Sequence, residues 1–193
     1  YKGIFRSADN GDTWAASNSG LIELYVSDAL AIGPMFLASS EHDGVYRSMD
    51  DGVTWVQSNN GLVNDDVLCL HYDGNNLYAG TTGGVYLSSD QGLNWSFSAL
   101  PGIMVKKITS TPTDGAIFVA AYSQPNIYRS QDNGQNWSAI PLPYPAYSVL
   151  AMQGVEDRLY IGDYNGILYL ASNLSWVELS PTLNNSRITT MCT

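Results

Sequence analysis

The chain has 193 residues, of which 45% are hydrophobic and 13% charged, and it carries a net charge of −10. It is long enough to bury the core of one domain and too rich in apolar and aromatic residues for a disordered chain. Its eight lysines and arginines are spread along the sequence, which argues against nucleic acid or an anionic membrane surface as a partner. No apolar run approaches the about 20 residues of a membrane span, so we expect no membrane insertion.

Neither a metal nor a cofactor is predicted. The two cysteines, Cys69 and Cys192, form no CxxC pair and no Cys/His cluster, which a structural zinc site would need. Both lie in apolar strand segments, where a free thiol behaves as a small hydrophobe; a disulfide is the alternative. His42 and His71 are isolated in the sequence.

An eight-residue pattern, Ser-x-Asp-x-Gly-x-Thr/Asn-Trp, occurs four times. Its residues are Ser7, Asp9, Gly11 and Trp14; Ser48, Asp50, Gly52 and Trp55; Ser88, Asp90, Gly92 and Trp95; and Ser130, Asp132, Gly134 and Trp137. A fifth, shortened copy keeps its tryptophan, Trp176. Successive tryptophans are 41, 40, 42 and 39 residues apart. A period near forty is typical of a four-stranded propeller blade.

Short apolar segments accompany every copy of the pattern and predict strands, because they are bounded by Gly, Asn and Asp. One strand is predicted directly before each copy, at 3–7, 44–48, 84–88, 126–130 and 166–170. Another precedes it, at 35–38, 77–80, 117–120 and 159–162. A third begins about twelve residues after each tryptophan, at Val26, Val67, Val105, Val149 and Ile188. No segment predicts a helix.

The repeated pattern has a mechanical interpretation. Its Asp can accept hydrogen bonds from backbone N–H groups of its own turn, and its Gly supplies a conformation that other residues disfavour. Its Trp, at the start of the outer strand, offers a large apolar area for packing between neighbouring sheets. Four near-copies cannot all be an active site, so we interpret these residues as structural.

The pattern resembles the Asp-box, or BNR repeat, found in sialidases, xyloglucanases, sortilin-type receptors and photosystem II assembly factors. The resemblance covers the whole chain. It implies an all-β fold, a β-propeller of four-stranded antiparallel blades in a single domain, 1–193. It leaves the function open, because that superfamily spans enzymes, receptors and scaffolds.

The order of predicted strands indicates how the blades follow one another. The chain begins within one blade, runs through four further blades and ends on the innermost strand of another, 187–193. We expect a five-bladed ring whose last blade is shared between the two termini. The alternative is a slice of a larger propeller.

An enzymatic function is the less favoured interpretation. A sialidase would be expected to carry an Arg-Ile-Pro motif and three converging arginines, but the motif is absent and Arg6, Arg47 and Arg129 share one repeat position. A glycoside hydrolase, xyloglucanase- or sialidase-like, or a fragment of one remains the alternative. A glycosidase of the xyloglucanase type needs two carboxylates about 5–10 Å apart. The candidate acids, which nothing in their spacing pairs, are Glu41, Asp43, Asp65, Asp66 and Asp163. We predict no catalytic residue.

A non-enzymatic module that binds a protein or a carbohydrate is the favoured function. Aromatic and short polar residues collect in the loops predicted on one face around the channel, where stacking and hydrogen bonds suit such ligands. The candidate ligand-binding residues are Tyr144, Tyr147, Tyr122, Tyr164, Asp163 and His42. A simple preference of Tyr for strand ends is the alternative.

Two further questions stay open at this level. Lys106 and Lys107 lie on one predicted innermost strand and Asp28 on another, so the lysines either line the channel and bind an anion or balance that carboxylate. The domain could also pack beside further propellers or copies of itself. Because the sequence starts at Tyr1, we expect that an export signal has been removed and that the protein is extracellular, at the cell surface or periplasmic.

Overall fold

A computed structural model describes residues 2–143, 149–162, 167–170 and 174–179. The secondary structure of these residues consists of strands and turns, without a helix. The strands are β1 (Phe5–Arg6), β2 (Ala15–Ala16), β3 (Val26–Ile32), β4 (Met35–Ser40), β5 (Gly44–Ser48), β6 (Val56–Gln57), β7 (Val67–Tyr72), β8 (Leu77–Thr81), β9 (Gly84–Ser88), β10 (Ser96–Ala99), β11 (Val105–Ser110), β12 (Ile117–Ala121), β13 (Asn126–Ser130), β14 (Ser138–Pro141), β15 (Ala151–Val155), β16 (Arg158–Gly162), β17 (Ile167–Leu170) and β18 (Trp176–Glu178).

The strands form successive antiparallel sheets in chain order. The first sheet is the pair β1–β2, and four four-stranded sheets follow, with the orders β3-β4-β5-β6, β7-β8-β9-β10, β11-β12-β13-β14 and β15-β16-β17-β18. Each four-stranded sheet is one predicted blade, and within each sheet every connection joins neighbouring strands. The C-terminal strand predicted to complete the shared blade, 187–193, lies outside the described residues, so the number of blades in the ring stays a prediction.

The hydrophobic core lies between the blades. One buried cluster joins Leu37 and Val45 of the second sheet to Leu77 and Tyr86 of the third. A similar cluster joins the third sheet to the fourth, and another joins the fourth to the fifth. The second strands β8 and β12 are buried at every residue, because both of their faces are covered by neighbouring sheets. This explains why their sequences are continuously apolar rather than alternating.

The first strands of the blades lie side by side around the centre. Strand β3 contacts β7, β7 contacts β11, and β11 contacts β15. Three of them carry a bulge at the same position, one residue after the first valine. The extra residues are Ser27, Leu68 and Lys106. A bulge bends the strand and re-aims a side chain, so these three residues point differently from the rest of their strands.

The box tryptophans connect each sheet to the sheet before it. Trp55 and Trp95 are buried, and each indole N–H donates to a backbone oxygen of the preceding sheet at 2.9 Å. Trp176 donates in the same way to the carbonyl of Pro141 at 2.7 Å. Trp14 departs from the expected packing: it is 63% exposed and donates to Gly11 of its own turn. The physical reason is that no sheet precedes its own among the described residues.

Candidate functional site

The four box aspartates use their carboxylates within their own turns. In the first box, Asp9 Oδ1 accepts from the Ser7 hydroxyl at 2.8 Å and from the backbone N–H of Thr13 at 2.9 Å, and Oδ2 accepts from the Thr13 hydroxyl at 2.5 Å. The same arrangement recurs at Asp50, Asp90 and Asp132. These hydrogen bonds favour the charged carboxylate. The hydrogen bond from the Thr13 hydroxyl contributes most to lowering the pKa of Asp9 to about 2.

A cavity lies at the ends of the first strands. Its volume is about 470 Å³, which is in the range of small-molecule and side-chain pockets. Its walls come from four successive sheets and from the loops between them. The lining residues are Tyr25, Val26, Ser27, Glu41, Leu68, Lys106, Lys107, Ala121, Tyr122, Val149 and Leu150. We call this cavity the channel mouth.

The bulges explain which side chains reach the channel mouth. All three bulge residues, Ser27, Leu68 and Lys106, line it. Leu150 holds the corresponding place in the next sheet, one residue after Val149. Equivalent residues of four repeats therefore lie at one site. They supply the hydroxyl of Ser27, the ammonium of Lys106 and the side chains of Leu68 and Leu150.

The two lysines of the channel mouth carry its positive charge. Lys106 and Lys107 are both exposed, and the Lys106 ammonium lies 5.8 Å from the centre of the Tyr122 ring. No described carboxylate forms an ion pair with either lysine. Asp28 instead accepts from the backbone N–H groups of Leu70 and Ala29, each at 2.9 Å. The described contacts therefore favour the interpretation in which the two lysines are available to a ligand over the interpretation in which Asp28 balances their charge.

The loops around the channel mouth are joined by polar contacts. The rings of Tyr25 and His42 have centroids 6.2 Å apart. His42 Nδ1 lies 3.1 Å from Asp66 Oδ1, and Thr82 donates to the same carboxylate at 3.3 Å. The hydrogen bond that the Asp66 carboxylate accepts from the His42 ring is the largest cause of a raised pKa at His42. Loops of the second and third sheets are thus held on one face, as the sequence predicted.

The structure places one of the predicted ligand-binding residues in the wall of the channel mouth and a second beside a residue of that wall. Tyr122 lines the channel mouth, and His42 contacts Tyr25, which also lines it. The others, Tyr144, Tyr147, Asp163 and Tyr164, lie outside the described residues and stay predictions.

Sequence reasoning missed the importance of the bulge position. Leu68 and Leu150 each follow a valine at the start of a first strand, as Ser27 and Lys106 do, so aligning the repeats could have found them. It also missed Asn18 and Asn59, which follow the box tryptophans by four residues. The Asn59 side chain accepts from Val45 N–H and donates to the Asp43 carbonyl, both at 2.7 Å, and thereby ties down its loop.

The candidate acids Glu41, Asp43 and Asp66 have different surroundings in the described structure. Glu41 lines the channel mouth, whereas Asp66 is bound to His42 and Asp43 accepts from the Tyr46 hydroxyl at 3.2 Å. Asp163 lies outside the described residues. Every carboxyl pKa that is shifted in the described part of the chain is lowered, whereas a general acid needs a raised one.

Metal sites and membrane-spanning helices are two other features that the described residues could contain. Across residues 2–143, 149–162, 167–170 and 174–179, no three His, Cys, Asp or Glu residues come together as a metal site. In the same residues, no helix has the length and hydropathy required to cross a membrane. Cys69 is buried, and burial raises the pKa of its thiol to about 12, so it is a packing residue rather than a nucleophile.

Four-stranded antiparallel sheets that pack face to face around their first strands define a β-propeller domain. The chain belongs to the family of the DUF6242 beta propeller domain, whose sequence profile matches residues 35–153. No curated protein matches the chain in sequence. The predicted fold class, an all-β propeller of four-stranded blades, is confirmed.

Several solved structures share the fold. The extracellular domain of BT4673 from B. thetaiotaomicron, described as a one-component system, is 13% identical with a TM-score of 0.78, over 98% of this chain and 27% of that one. An ancestral GH74 enzyme is 18% identical with a TM-score of 0.69, over 83% and 24%. YCF48 bound to D1 peptide is 16% identical with a TM-score of 0.70, over 90% and 60%. The chain thus spans between about a quarter and three fifths of these relatives. The predicted resemblance to Asp-box propellers is confirmed, and at these identities it concerns the fold alone.

Proposed function

We propose that this domain is a non-enzymatic binding module that recognises an extended segment of a protein at the channel mouth. The observation that carries the proposal is that the equivalent residue of four repeats, a bulge residue in three of them, lies at one cavity of about 470 Å³. Leucines and valines form part of its lining, and Tyr25, Ser27 and the two lysines add polar groups. A pocket with an apolar lining and a few convergent polar groups is the usual form of a ligand site.

Exposed aliphatic residues on the surrounding loops favour a protein over a carbohydrate. Ile22 and Val63 occupy equivalent positions of two repeats and are 75% and 89% exposed. Each lies in the loop that leads into a first strand, on the face that holds the channel mouth. Repeated apolar side chains on one face suit the core of a protein contact. The relative YCF48 is itself described as bound to a peptide.

The box residues support this function by holding the blades. We propose that Asp9, Asp50, Asp90 and Asp132 are structural, because their carboxylate oxygens are engaged inside their own turns. Rigid sheets fix the positions of the loops, which lowers the entropy lost when a ligand binds.

The alternative is a glycoside hydrolase, the activity of the GH74 relatives. Among the described residues, Glu41 is the one carboxylate in the lining of the channel mouth, whereas hydrolysis of a glycoside needs two. Release of reducing sugar from xyloglucan by the purified domain, and its loss in Glu41→Gln, would establish the alternative.

Selection from a phage-displayed library of random peptides tests the proposal. We expect peptides that bind the purified domain and that are weakened by Ile22→Asp and Val63→Asp. Val56→Asp is the matched control, because Val56 is 69% exposed on the outer strand β6. The proposal fails if no peptide is selected, if the control weakens binding as much, or if a glycan array finds an oligosaccharide that needs the same residues.

We also propose that the domain works outside the cytoplasm, as the extracellular domain of BT4673 does. Fractionation of the source cells tests this location, and recovery of the protein in the cytoplasmic fraction would contradict it.

A further inference from the structure

The charge of the channel mouth contrasts with that of the whole chain. The protein carries eight lysines and arginines against 18 acidic residues. Three of the described arginines form ion pairs with aspartates, namely Arg6 with Asp51, Arg129 with Asp114 and Arg158 with Asp157. Lys106 and Lys107 are adjacent and have no described ion pair, so they form a positive spot on an acidic protein. Both lie in the wall of the channel mouth.

The bulge explains why both lysines face the same site. In a regular strand, consecutive side chains point to opposite faces. The extra residue at Lys106 shifts the register between Val105 and Lys107, and both lysines consequently line the cavity. The corresponding bulge residues of the preceding blades are Ser27 and Leu68, so among the described residues the cations of the cavity wall come from the fourth sheet.

The Tyr122 ring positions one of these cations without using its hydrogen bonds. The Lys106 ammonium lies 5.8 Å from the centre of this ring, a distance at which a cation and a ring face attract each other. An ammonium has three N–H donors, and the ring contact leaves them available. The site thus offers donors of two ammonium groups beside an aromatic ring and next to the apolar residues Leu68 and Val149.

We propose that Lys106 and Lys107 bind a carboxylate side chain of a protein partner, within an acidic segment that also carries aliphatic residues. The carboxylate lies between the two ammonium groups, and the aliphatic neighbours contact Leu68 and the exposed residues Ile22 and Val63. This inference rests on the proposed function and adds the chemistry of the ligand. Charge-assisted hydrogen bonds of this kind are stronger than neutral ones, and the negative charge of the surrounding surface disfavours binding of acidic segments elsewhere.

The same phage-displayed library tests the inference. We expect the selected peptides to be enriched in Asp and Glu flanked by aliphatic residues. The double variant Lys106→Gln/Lys107→Gln should bind a selected peptide about tenfold or more weakly, the factor expected for loss of a charge-assisted hydrogen bond. The control Lys2→Gln/Arg158→Gln removes the same net charge at exposed positions outside the channel mouth and should bind as the original chain does.

The outcomes separate this inference from the proposed function. Selected peptides without acidic enrichment, or binding that survives the double lysine variant, would overturn the inference and leave peptide binding in place. Failure to select any peptide would overturn both. If oligogalacturonate binds through the two lysines and no acidic peptide does, the two lysines do bind an anion, but the proposed protein partner is wrong. A thermal melt of each variant shows that the fold is intact.

Discussion

The contrast between Trp95 and Trp14 provides a quantitative test of how the blades are held together. Both residues end a box of the same pattern, but Trp95 is 4% exposed and Trp14 is 63% exposed. Replacing a buried large aromatic residue with Ala costs about 3–5 kcal/mol. Trp95→Ala also leaves the Ser58 carbonyl without its indole donor, which adds about 1 kcal/mol. We therefore expect Trp95→Ala to lower the free energy of unfolding by about 5 kcal/mol.

Trp14→Ala should cost far less, because most of this side chain already contacts solvent and its hydrogen bond is made within its own turn. Removing that one hydrogen bond costs about 1 kcal/mol. The assay is urea unfolding followed by far-UV circular dichroism, with the slope compared so that a change in the midpoint reports stability. A domain is stable by only about 5–15 kcal/mol. Because Trp95→Ala is expected to remove about 5 kcal/mol of this stability, the variant is measured at low temperature, so that it is folded before urea is added.

Equal losses for the two variants would refute this reasoning. That result would mean that Trp14 is as buried in solution as Trp95, and that the first sheet is covered on the side where the described structure exposes it. A small loss for both would mean instead that the tryptophans do not join the blades.

Three further predictions concern single residues. Gly61→Ala should destabilise the fold by more than about 2 kcal/mol, because Gly61 has a φ of +82° and a new Cβ would lie 2.0 Å from the Trp95 carbonyl oxygen. Gly74→Ala is the control: Gly74 has a φ of +99° but open space around it, so this substitution should cost about 1 kcal/mol in the same urea assay. Asp50→Asn should remove the part of the stability that depends on the Asp50 carboxylate, whose pKa is lowered from 3.8 to about 2. That part is present above pH 3.8 and lost as the pH falls through about 2, so the variant should show a shallower acid unfolding curve, and an unchanged curve would contradict the box interpretation. In a proton NMR titration, His42 should have a pKa above 6.5 because of Asp66, and His71 should have a pKa of about 4 because of burial. Identical titration midpoints would contradict the described surroundings of the two histidines.

The His71 shift also gives a direction for stability. Its folded pKa lies below the ordinary 6.5, so protonation favours the unfolded chain. The stability linked to this group is fully present above pH 6.5 and is lost as the pH falls towards 4. His71→Gln should reduce this dependence, measured as the thermal midpoint across that range, and an unchanged slope would contradict the assignment.

Much of the fold could be predicted because each blade is encoded locally. The box turn depends on residues four apart, such as Asp9 and Thr13, whose hydrogen bonds form within one turn. The continuous apolar segment 77–80 predicts a strand covered on both faces, and β8 is buried throughout. Antiparallel neighbours joined by short turns need no information from distant parts of the chain. For these reasons the period of about forty residues was enough to predict the repeated sheet.

The candidate site was only partly predictable, because it depends on how different sheets meet. Tyr122 and His42 were found from their residue types and loops, but the lysine pair was left between two alternatives. A bulge of one residue changes which way a side chain points. Aligning the repeats shows that Ser27, Leu68 and Lys106 share one position, but it does not show that the strand bulges there. The contact that decides the role of Asp28, its hydrogen bond to Leu70 N–H, joins two sheets.

The amino-acid sequence by itself thus determined the unit of this protein: a small antiparallel sheet with an Asp-box turn and a tryptophan at its outer strand. The interactions that form this unit are short in sequence, so their residue types and spacing carry the information. Only the tertiary structure decided that Ser27, Leu68, Lys106 and Leu150 surround one cavity. These residues lie about one repeat apart along the chain, and they become neighbours because the cores between the sheets bring the first strands together around one centre.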